Sequence, residues 1–311
     1  MQSMRAIRRI IMVLAVATAT VVVPAASNAA IVVPPPEGPW GYTSGLYVDG
    51  GQQVCNFYRV ALGNGVAELV GAEVPCVDGL TFSPAGVLYA YTVSRGNGPI
   101  TESELVTIDP GTGAQTVVGQ MGRGFYEGGM TFDKDGQLWL YAEPDDSSCT
   151  DVSSYNCLYS VNPGTGATTL VGGSTGVRGF VATGLAADCT SVYATGTVAS
   201  GIQSDSLYAI DTTSGAVAPI GSLGTSMFTV GLDFASDGTL YTLAEPNTKG
   251  PLYWAPLTAT LSTATGAASD VQTWASDDTT PNIVSGLAIA GVTCAPAPAP
   301  EPIDVEPNFT G

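Results

Sequence analysis

The stretch Gly129-Met130-Thr131-Phe132 decides the fold, because a stretch of the same kind opens at five places along the chain. A turn and an apolar-aromatic pair, here Leu138-Trp139, follow most of the copies. The other openings are Gly79-Leu80-Thr81-Phe82, Gly184-Leu185-Ala186-Ala187, Gly231-Leu232-Asp233-Phe234 and Gly286-Leu287-Ala288-Ile289. Successive openings are 50, 55, 47 and 55 residues apart. A period of this length, with short alternating apolar segments, predicts a repeated all-β unit.

A second segment recurs in the same phase and predicts the rest of each unit. It runs from Leu105 through Asp109-Pro110-Gly111-Thr112-Gly113. Pro fixes φ and Gly accepts positive φ, so this run indicates a tight turn between two strands. Copies begin at Leu158 and Leu207, and a copy from Leu252 to Gly266 is degenerate. Three of the copies reach a glycine fourteen residues from their start, at Gly119, Gly172 and Gly221.

Each unit therefore has four short strands, a to d, and the fold class that follows is an all-β, single β-propeller. One such sheet cannot bury both of its faces, whereas sheets packed around an axis can. The first unit lacks its opening strand and enters at 42–48, and the last opening, 286–292, has no unit after it. We expect this C-terminal strand to pair with the N-terminal blade and close a five-bladed ring. Six blades remain an alternative, because residues 252–284 can hide extra strands.

The repeats resemble those of exported bacterial propellers of the YVTN/NHL-like kind, over about residues 40–294. The resemblance implies the architecture and no catalytic motif, since one fold hosts many functions. Streptogramin lyases resemble this fold class too, but their catalysis depends on a histidine, and this chain has none.

The N-terminus predicts export. Arg5, Arg8 and Arg9 precede an uncharged apolar run, and Ser27 and Ala29 fit the small residues before a signal-peptidase cut. We therefore expect a signal peptide at 1–29, a Pro-rich lead-in at 30–39, the propeller at 40–294 and an Ala/Pro-rich tail at 295–311. A retained membrane anchor is the alternative, although the run is shorter than the roughly 20 residues that span a bilayer.

Composition narrows the function classes. The chain has 27 acidic and nine basic residues, three of the latter in the signal, so we expect no nucleic-acid partner and no membrane insertion after signal removal. Without histidine, Ser-His and Cys-His catalysis and His-ligated zinc are excluded. No cofactor is expected. Secretion or cell-envelope localisation follows from the signal and from six cysteines, an even number.

The long, irregular b–c loops and the d–a connections share one face, which we predict to be the working face. Aromatic and cationic residues in the d–a connections can hold an anionic or sugar-like ligand by stacking and hydrogen bonding. Alternatively, the aromatics fill the axial channel and each Arg pairs with an acid. The candidates are Arg123, Phe125, Tyr126, Arg178, Phe180, Phe228 and Trp274.

Carboxylates near the same face provide the catalytic alternative, a glycosidase or lyase. Its candidate acids are Asp78, Glu127, Glu143 and Glu245. The turn Asp133-Lys134-Asp135-Gly136 has paired carboxylates, but without a full calcium loop it is interpreted as an ordinary turn. No metal site is predicted. The favoured function is a non-catalytic scaffold for an extracellular ligand or protein, glycans included.

The strand assignment also predicts disulfide pairs. Cys149 and Cys157 lie in one b–c loop, and Cys55 and Cys76 lie at the same end of blade one. The remaining pair is Cys189–Cys294, whose blades are not neighbours in a five-membered ring.

Overall fold

A computed structural model describes residues 37–49, 52–93, 102–146, 149, 156–172, 180–198, 205–225, 227–246, 255–274, 281 and 283–291. All of them belong to one compact unit of the chain. They form twenty strands in five antiparallel sheets of four strands each, which confirms the all-β propeller. This part of the chain contains no apolar helix of membrane-spanning length.

The strands of blades two to five follow one another in chain order from the axis outward, and the described a–b and c–d turns that join them are short. Blade one contains β1 (Trp40–Asp49), β2 (Gln52–Ala61) and β3 (Val66–Val74), and blade two contains β4 (Val77–Phe82), β5 (Leu88–Thr92), β6 (Glu104–Ile108) and β7 (Gln115–Gln120). Blade three contains β8 (Phe125–Phe132), β9 (Leu138–Pro144), β10 (Cys157–Val161) and β11 (Thr168–Val171). Blade four contains β12 (Phe180–Ala187), β13 (Val192–Val198), β14 (Ser206–Ile210) and β15 (Val217–Ser222). Blade five contains β16 (Met227–Phe234), β17 (Leu240–Pro246), β18 (Leu257–Leu261) and β19 (Ala268–Thr273), and β20 (Ile283–Ile289) follows.

Strand β20 closes the ring as the sequence predicted. It is the innermost strand of blade one and pairs antiparallel with β1, with Gly41 opposite Ile289 and Leu46 opposite Ile283. The strand spans 283–289, three residues earlier than expected. The degenerate region supplies β18 and β19 to blade five, so the six-bladed alternative is wrong.

The glycine that opens each repeat lies where inner strands of neighbouring blades almost touch. A Cβ on Gly129 would lie 2.3 Å from the Leu185 nitrogen, and a Cβ on Gly231 would lie 2.5 Å from the Leu287 nitrogen. Real Cβ atoms do not approach backbone so closely, so only glycine fits there. These five glycines and the apolar residue after each one line the axis, and they leave no room for a water molecule. We call this set the glycine ring.

The glycines of the second segment make a matching contact at the outer edge of the blades. A Cβ on Gly119 would lie 2.1 Å from the carbonyl oxygen of Thr165, which belongs to the c–d turn of the next blade. Gly221 stands in the same relation, at 2.1 Å, to Thr265. Each blade is therefore fixed to its neighbour at an inner and an outer glycine, with a hydrophobic cluster between them.

Buried carboxylates add polar links on both sides of blade five. Asp205, directly before β14, accepts hydrogen bonds from the amide and hydroxyl of Thr229 on β16. Glu245 accepts one from the Val284 amide at 3.3 Å, and Asp233 accepts one from the Ile289 amide at 2.7 Å. Burial raises the pKa of Asp205 to about 6. The two hydrogen bonds from Thr229 favour the ionised form and lower the pKa, but burial has the larger effect.

We predict that Gly129→Ala destabilises the protein by about 2–3 kcal/mol, because the new methyl group must displace the backbone of blade four. Gly164→Ala in the same blade is the control, since its Cβ would approach nothing closer than 3.4 Å. That control should change the free energy of unfolding by no more than about 0.5 kcal/mol. Urea unfolding of both variants measures the difference, and equal losses would show that the close approach is not what matters.

Asp205 should make the protein less stable as the pH rises. Because its pKa is about 6 in the folded protein against an ordinary value of 3.8, the folded state binds the proton more tightly than the unfolded chain does. The tighter proton binding at Asp205 contributes on the order of 3 kcal/mol to the free energy of unfolding. This contribution is fully present below about pH 4 and is lost as the pH rises past 6. Asp205→Asn should flatten the fall of the unfolding free energy between about pH 4 and about pH 7. Asp211→Asn should not, since hydrogen bonds from Ser214 and Thr213 lower the pKa of that exposed carboxylate. An undiminished fall in Asp205→Asn would contradict the assignment.

Candidate functional site

The two ends of the propeller axis carry different structures. The b–c loops and d–a connections form one end, which we call the b–c face, and the a–b and c–d turns form the other, the a–b face. Much of the b–c face, including Arg178, lies outside the described residues. The a–b turns are described in blades two to five.

Arg123 is the best defined candidate on the b–c face. One of its guanidinium nitrogens lies 3.2 Å from a carboxylate oxygen of Asp146, and its charged group lies over the ring of Tyr159, 5.2 Å from the centroid. The side chain is 23% exposed. The residue is therefore held in one orientation and retains access to solvent. Tyr159, which holds it, was not a sequence candidate, although it begins the repeated c strand together with Leu158.

Two of the predicted aromatic candidates belong to the core. Phe125 is fully buried and makes edge contacts with Tyr91 and Tyr159, at centroid distances of 6.2 and 5.1 Å. Trp274 is 2% exposed and lies in a different cluster, between blades five and one. These side chains pack blades together in two separate places and do not share a surface.

The other aromatic candidates are distributed over three blades. Tyr126 is 41% exposed, and its carbonyl oxygen accepts a hydrogen bond from the Tyr91 hydroxyl at 2.9 Å. Phe228 is half-buried on β16, and Phe180 begins β12. The structure brings Arg123 and Phe125 together around Tyr159, with Tyr126 next to Phe125 on β8, and leaves Phe180, Phe228 and Trp274 in other blades and Arg178 outside the described residues.

Two of the candidate acids bond to the backbone of inner strands. Asp78 is 3% exposed and accepts a hydrogen bond from the Gly79 amide at 2.8 Å. Glu245 is 7% exposed and bonds to Val284 of the closing strand. Glu143 differs, since burial and the negative charge of Glu127 raise the pKa of its half-buried carboxyl. Glu127 itself is exposed.

Two disulfides tie down the edge of the b–c face. Cys55 is bonded to Cys76 and Cys149 to Cys157. Cys189 is disulfide-bonded as well, and Cys294, the partner predicted for it, lies outside the described residues.

A cavity of about 450 Å³ opens on the axis at the a–b face, where the sequence analysis placed no site. All five blades line it, with residues that include Thr81, Phe82, Asp133, Asp188, Asp233 and Ile289. The glycine ring blocks the axis beyond these residues, so the cavity ends blindly there. The six residues named here follow the ring glycines by two to four residues in sequence, and that spacing is the signal by which they could have been found.

Two of the cavity carboxylates are fixed by turn hydrogen bonds. Asp133 accepts bonds from the amides of Asp135 and Gln137 and from the indole of Trp139. Burial opposes ionisation of Asp188, but hydrogen bonds from Thr190, Ser191 and Tyr193 outweigh it and lower the pKa. Burial raises the pKa of Asp233 to about 7.

Comparison with known proteins agrees with the fold and assigns no activity. No family model matches the chain, and no curated protein matches it. Solved structures that it resembles include a GH43 glycoside hydrolase engineered to show both endo-xylanase and exo-arabinofuranosidase activity, at 14% identity over 78% of this chain and 51% of that one, with a TM-score of 0.50. An exo-β-1,3-galactanase from Clostridium thermocellum matches at 13% identity over 78% and 64% of the two chains, with a TM-score of 0.50. A chain of a nidogen/laminin complex matches at 12% identity over 82% and 100%, with a TM-score of 0.47. This chain spans about half to two thirds of the two glycosidases, and at these identities the likeness is one of fold.

Proposed function

We propose that the protein is an exported β-propeller that binds an extracellular ligand or protein, glycans included, on its b–c face without transforming it. The proposal is supported by the different roles of the strands and the connections within each blade. Glycine contacts fix the blades to one another, and variable connections at the b–c face are free to differ between blades. A rigid scaffold that carries irregular loops is a common basis for recognition.

The main observation behind the proposal is that the Asp78 and Glu245 carboxylates are bonded within the scaffold. Both carboxylates are almost wholly buried and accept hydrogen bonds from inner-strand amides. A glycosidase needs two carboxyl groups that face the substrate across a cleft. These two acids instead stabilise inner strands, and one of them holds the strand that closes the ring.

Disulfide bonding supports the exported location. Cys55–Cys76 and Cys149–Cys157 both lie at the edge of the b–c face. Such bonds form and persist mainly in oxidising compartments outside the cytosol. They also limit the motion of the connections that we propose for binding.

Arg123 and Tyr126 supply the recognition chemistry among the described residues. The Asp146 carboxylate and the Tyr159 ring orient the guanidinium before any ligand arrives, which lowers the entropy cost of binding. Tyr126 offers an exposed ring and hydroxyl close to it in sequence. A guanidinium group and an exposed phenol on the same connection suit the carboxylate and hydroxyl groups of acidic sugars.

A catalytic function retains one observation in its favour. Burial and Glu127 raise the pKa of Glu143, and a general acid in glycoside hydrolysis needs a raised pKa. This candidate uses Glu143 and Glu127 alone, since the two other predicted acids are engaged elsewhere.

We predict that the purified protein retains acidic glycans on a glycan array and releases no new reducing ends from them. Arg123→Ala and Tyr126→Ala should each weaken retention by about tenfold, the loss expected for one charge-assisted or stacking contact. Arg59→Ala is a matched control, because Arg59 also pairs with a carboxylate, Glu68, and lies over an aromatic ring, Trp40. It lies near the opposite end of its blade and should leave retention unchanged.

The same array separates binding from catalysis. Glu143→Gln should retain the same glycans as the unmodified protein and, like it, release no reducing ends. Release of reducing ends by the unmodified protein and its loss in Glu143→Gln would establish the glycosidase alternative and overturn the proposal.

A further inference from the structure

The floor of the axial cavity is formed by the residues two positions after the ring glycines. Thr81, Thr131 and Asp233 occupy this position in blades two, three and five, and all three line the cavity. Alanine occupies it in the other two blades, and neither alanine is among the lining residues. The residues at this position that line the cavity are therefore all polar, directly beside the apolar glycine ring.

The two threonine hydroxyls on this floor are poorly satisfied for such buried groups. Thr81 and Thr131 are each 3% exposed. Their hydroxyls donate to the carbonyl oxygens of the next residues, Phe82 and Phe132, at 3.5 and 3.4 Å. These contacts are long beside the roughly 2.7–2.8 Å of a good O–H···O bond. Buried hydroxyls usually find full partners, so these two retain capacity to accept a bond from something in the cavity.

The wall of the cavity is acidic over three neighbouring blades. Asp133, Asp188 and Asp233 come from blades three, four and five. Among the described residues that line the cavity, Lys134 alone is basic, and it is ion-paired at 2.6 Å with Asp135, which is not part of the lining. The cavity thus presents a surplus of hydrogen-bond acceptors and negative charge.

Apolar residues from blades one and two also line the cavity. Phe82 of blade two is half-buried, whereas Ile289 of blade one is buried and donates its amide hydrogen to Asp233. Among the described residues no three carboxylates stand close enough to share a metal ion. The volume of about 450 Å³ is in the range of about 300–1,000 Å³ that is typical of small-molecule sites.

We propose that this cavity binds a small organic cation, with its ammonium group at the Asp188–Asp233 side and its apolar body against Phe82. An ammonium donates up to three hydrogen bonds, which matches a lining rich in acceptors. The turn bonds that fix Asp188 keep its carboxylate oriented before the ligand arrives. The strong net negative charge of the chain, −18, also attracts cations to its surface.

This site is independent of the function proposed above. It lies on the opposite face, and the glycine ring separates the two ends of the axis. Glycan retention on the b–c face and cation binding on the a–b face can therefore succeed or fail separately.

Titration calorimetry with 2-phenylethylamine tests the proposal. The measurement is made at about pH 8, where the amine is protonated, since alkylammonium groups have a pKa of about 10.4, and where Asp233 is ionised. The neutral isostere 2-phenylethanol and the anionic 3-phenylpropionate are the comparison ligands. We expect the amine to bind at least about tenfold more tightly than either, as one desolvated ion pair predicts.

Asp188→Asn and Asp233→Asn should each weaken amine binding by about tenfold. Asp237→Asn is the matched control, since Asp237 also closes an a–b turn, through the Thr239 amide, but does not line the cavity. Thr81→Val, an isosteric change that leaves every wall charge in place, should weaken the amine by a smaller factor, about threefold. Circular dichroism and urea unfolding establish that each variant is folded.

Three results would overturn the proposal. One is equal affinity for the amine and the alcohol, and another is an equal loss in Asp188→Asn and Asp237→Asn. The third is the absence of any heat of binding up to about 10 mM amine, since the affinity would then be weaker than that of a specific small-ligand site.

Discussion

The close approach of five inner strands around the axis is the constraint on which the rest of this structure depends. At Gly129 and Gly231 the neighbouring backbone occupies the place of a side chain. A larger residue there would push two blades apart, and in a closed ring one displaced blade affects every interface. The outer glycines repeat the constraint at the other edge of the sheets, so each blade is held at two radii. Rigidity of this kind leaves the connections at both faces free to differ.

The same constraint divides the molecule into two independent ends. Because the glycine ring leaves no room for water, the axis is not a channel. The cavity on the a–b face is consequently a blind pocket with a polar floor. The ring residues and the cavity floor are neighbours in sequence, so the packing that closes the propeller also positions Thr81, Thr131 and Asp233.

The fold was predictable from the sequence because its cause is local and repeated. A glycine followed by an apolar residue, five times over, indicates both the strand and its place at the axis. The fate of single aromatic side chains was not predictable in the same way. Phe125 and Trp274 precede the opening glycines in sequence much as Tyr126 and Phe228 do, but they fill gaps between particular blades. The cavity escaped prediction for a related reason: its residues come from five repeats, and each looks like an ordinary turn or strand end by itself.

Blade five shows how buried charge and sequence degeneracy are connected. Its second segment is the least regular of the five, yet hydrogen bonds to buried carboxylates join the blade to both of its neighbours. Asp205 reaches into it from blade four, and Glu245 and Asp233 reach from it to the closing strand. Such bonds are directional, so they fix the register of β20 where apolar packing alone tolerates sliding. The cost is desolvation of the carboxylates, which is why the pKa of Asp205 and Asp233 is raised. In Asp233 the two roles meet, because one carboxylate anchors the last strand of the ring and faces the cavity, where a cation would stabilise its ionised form.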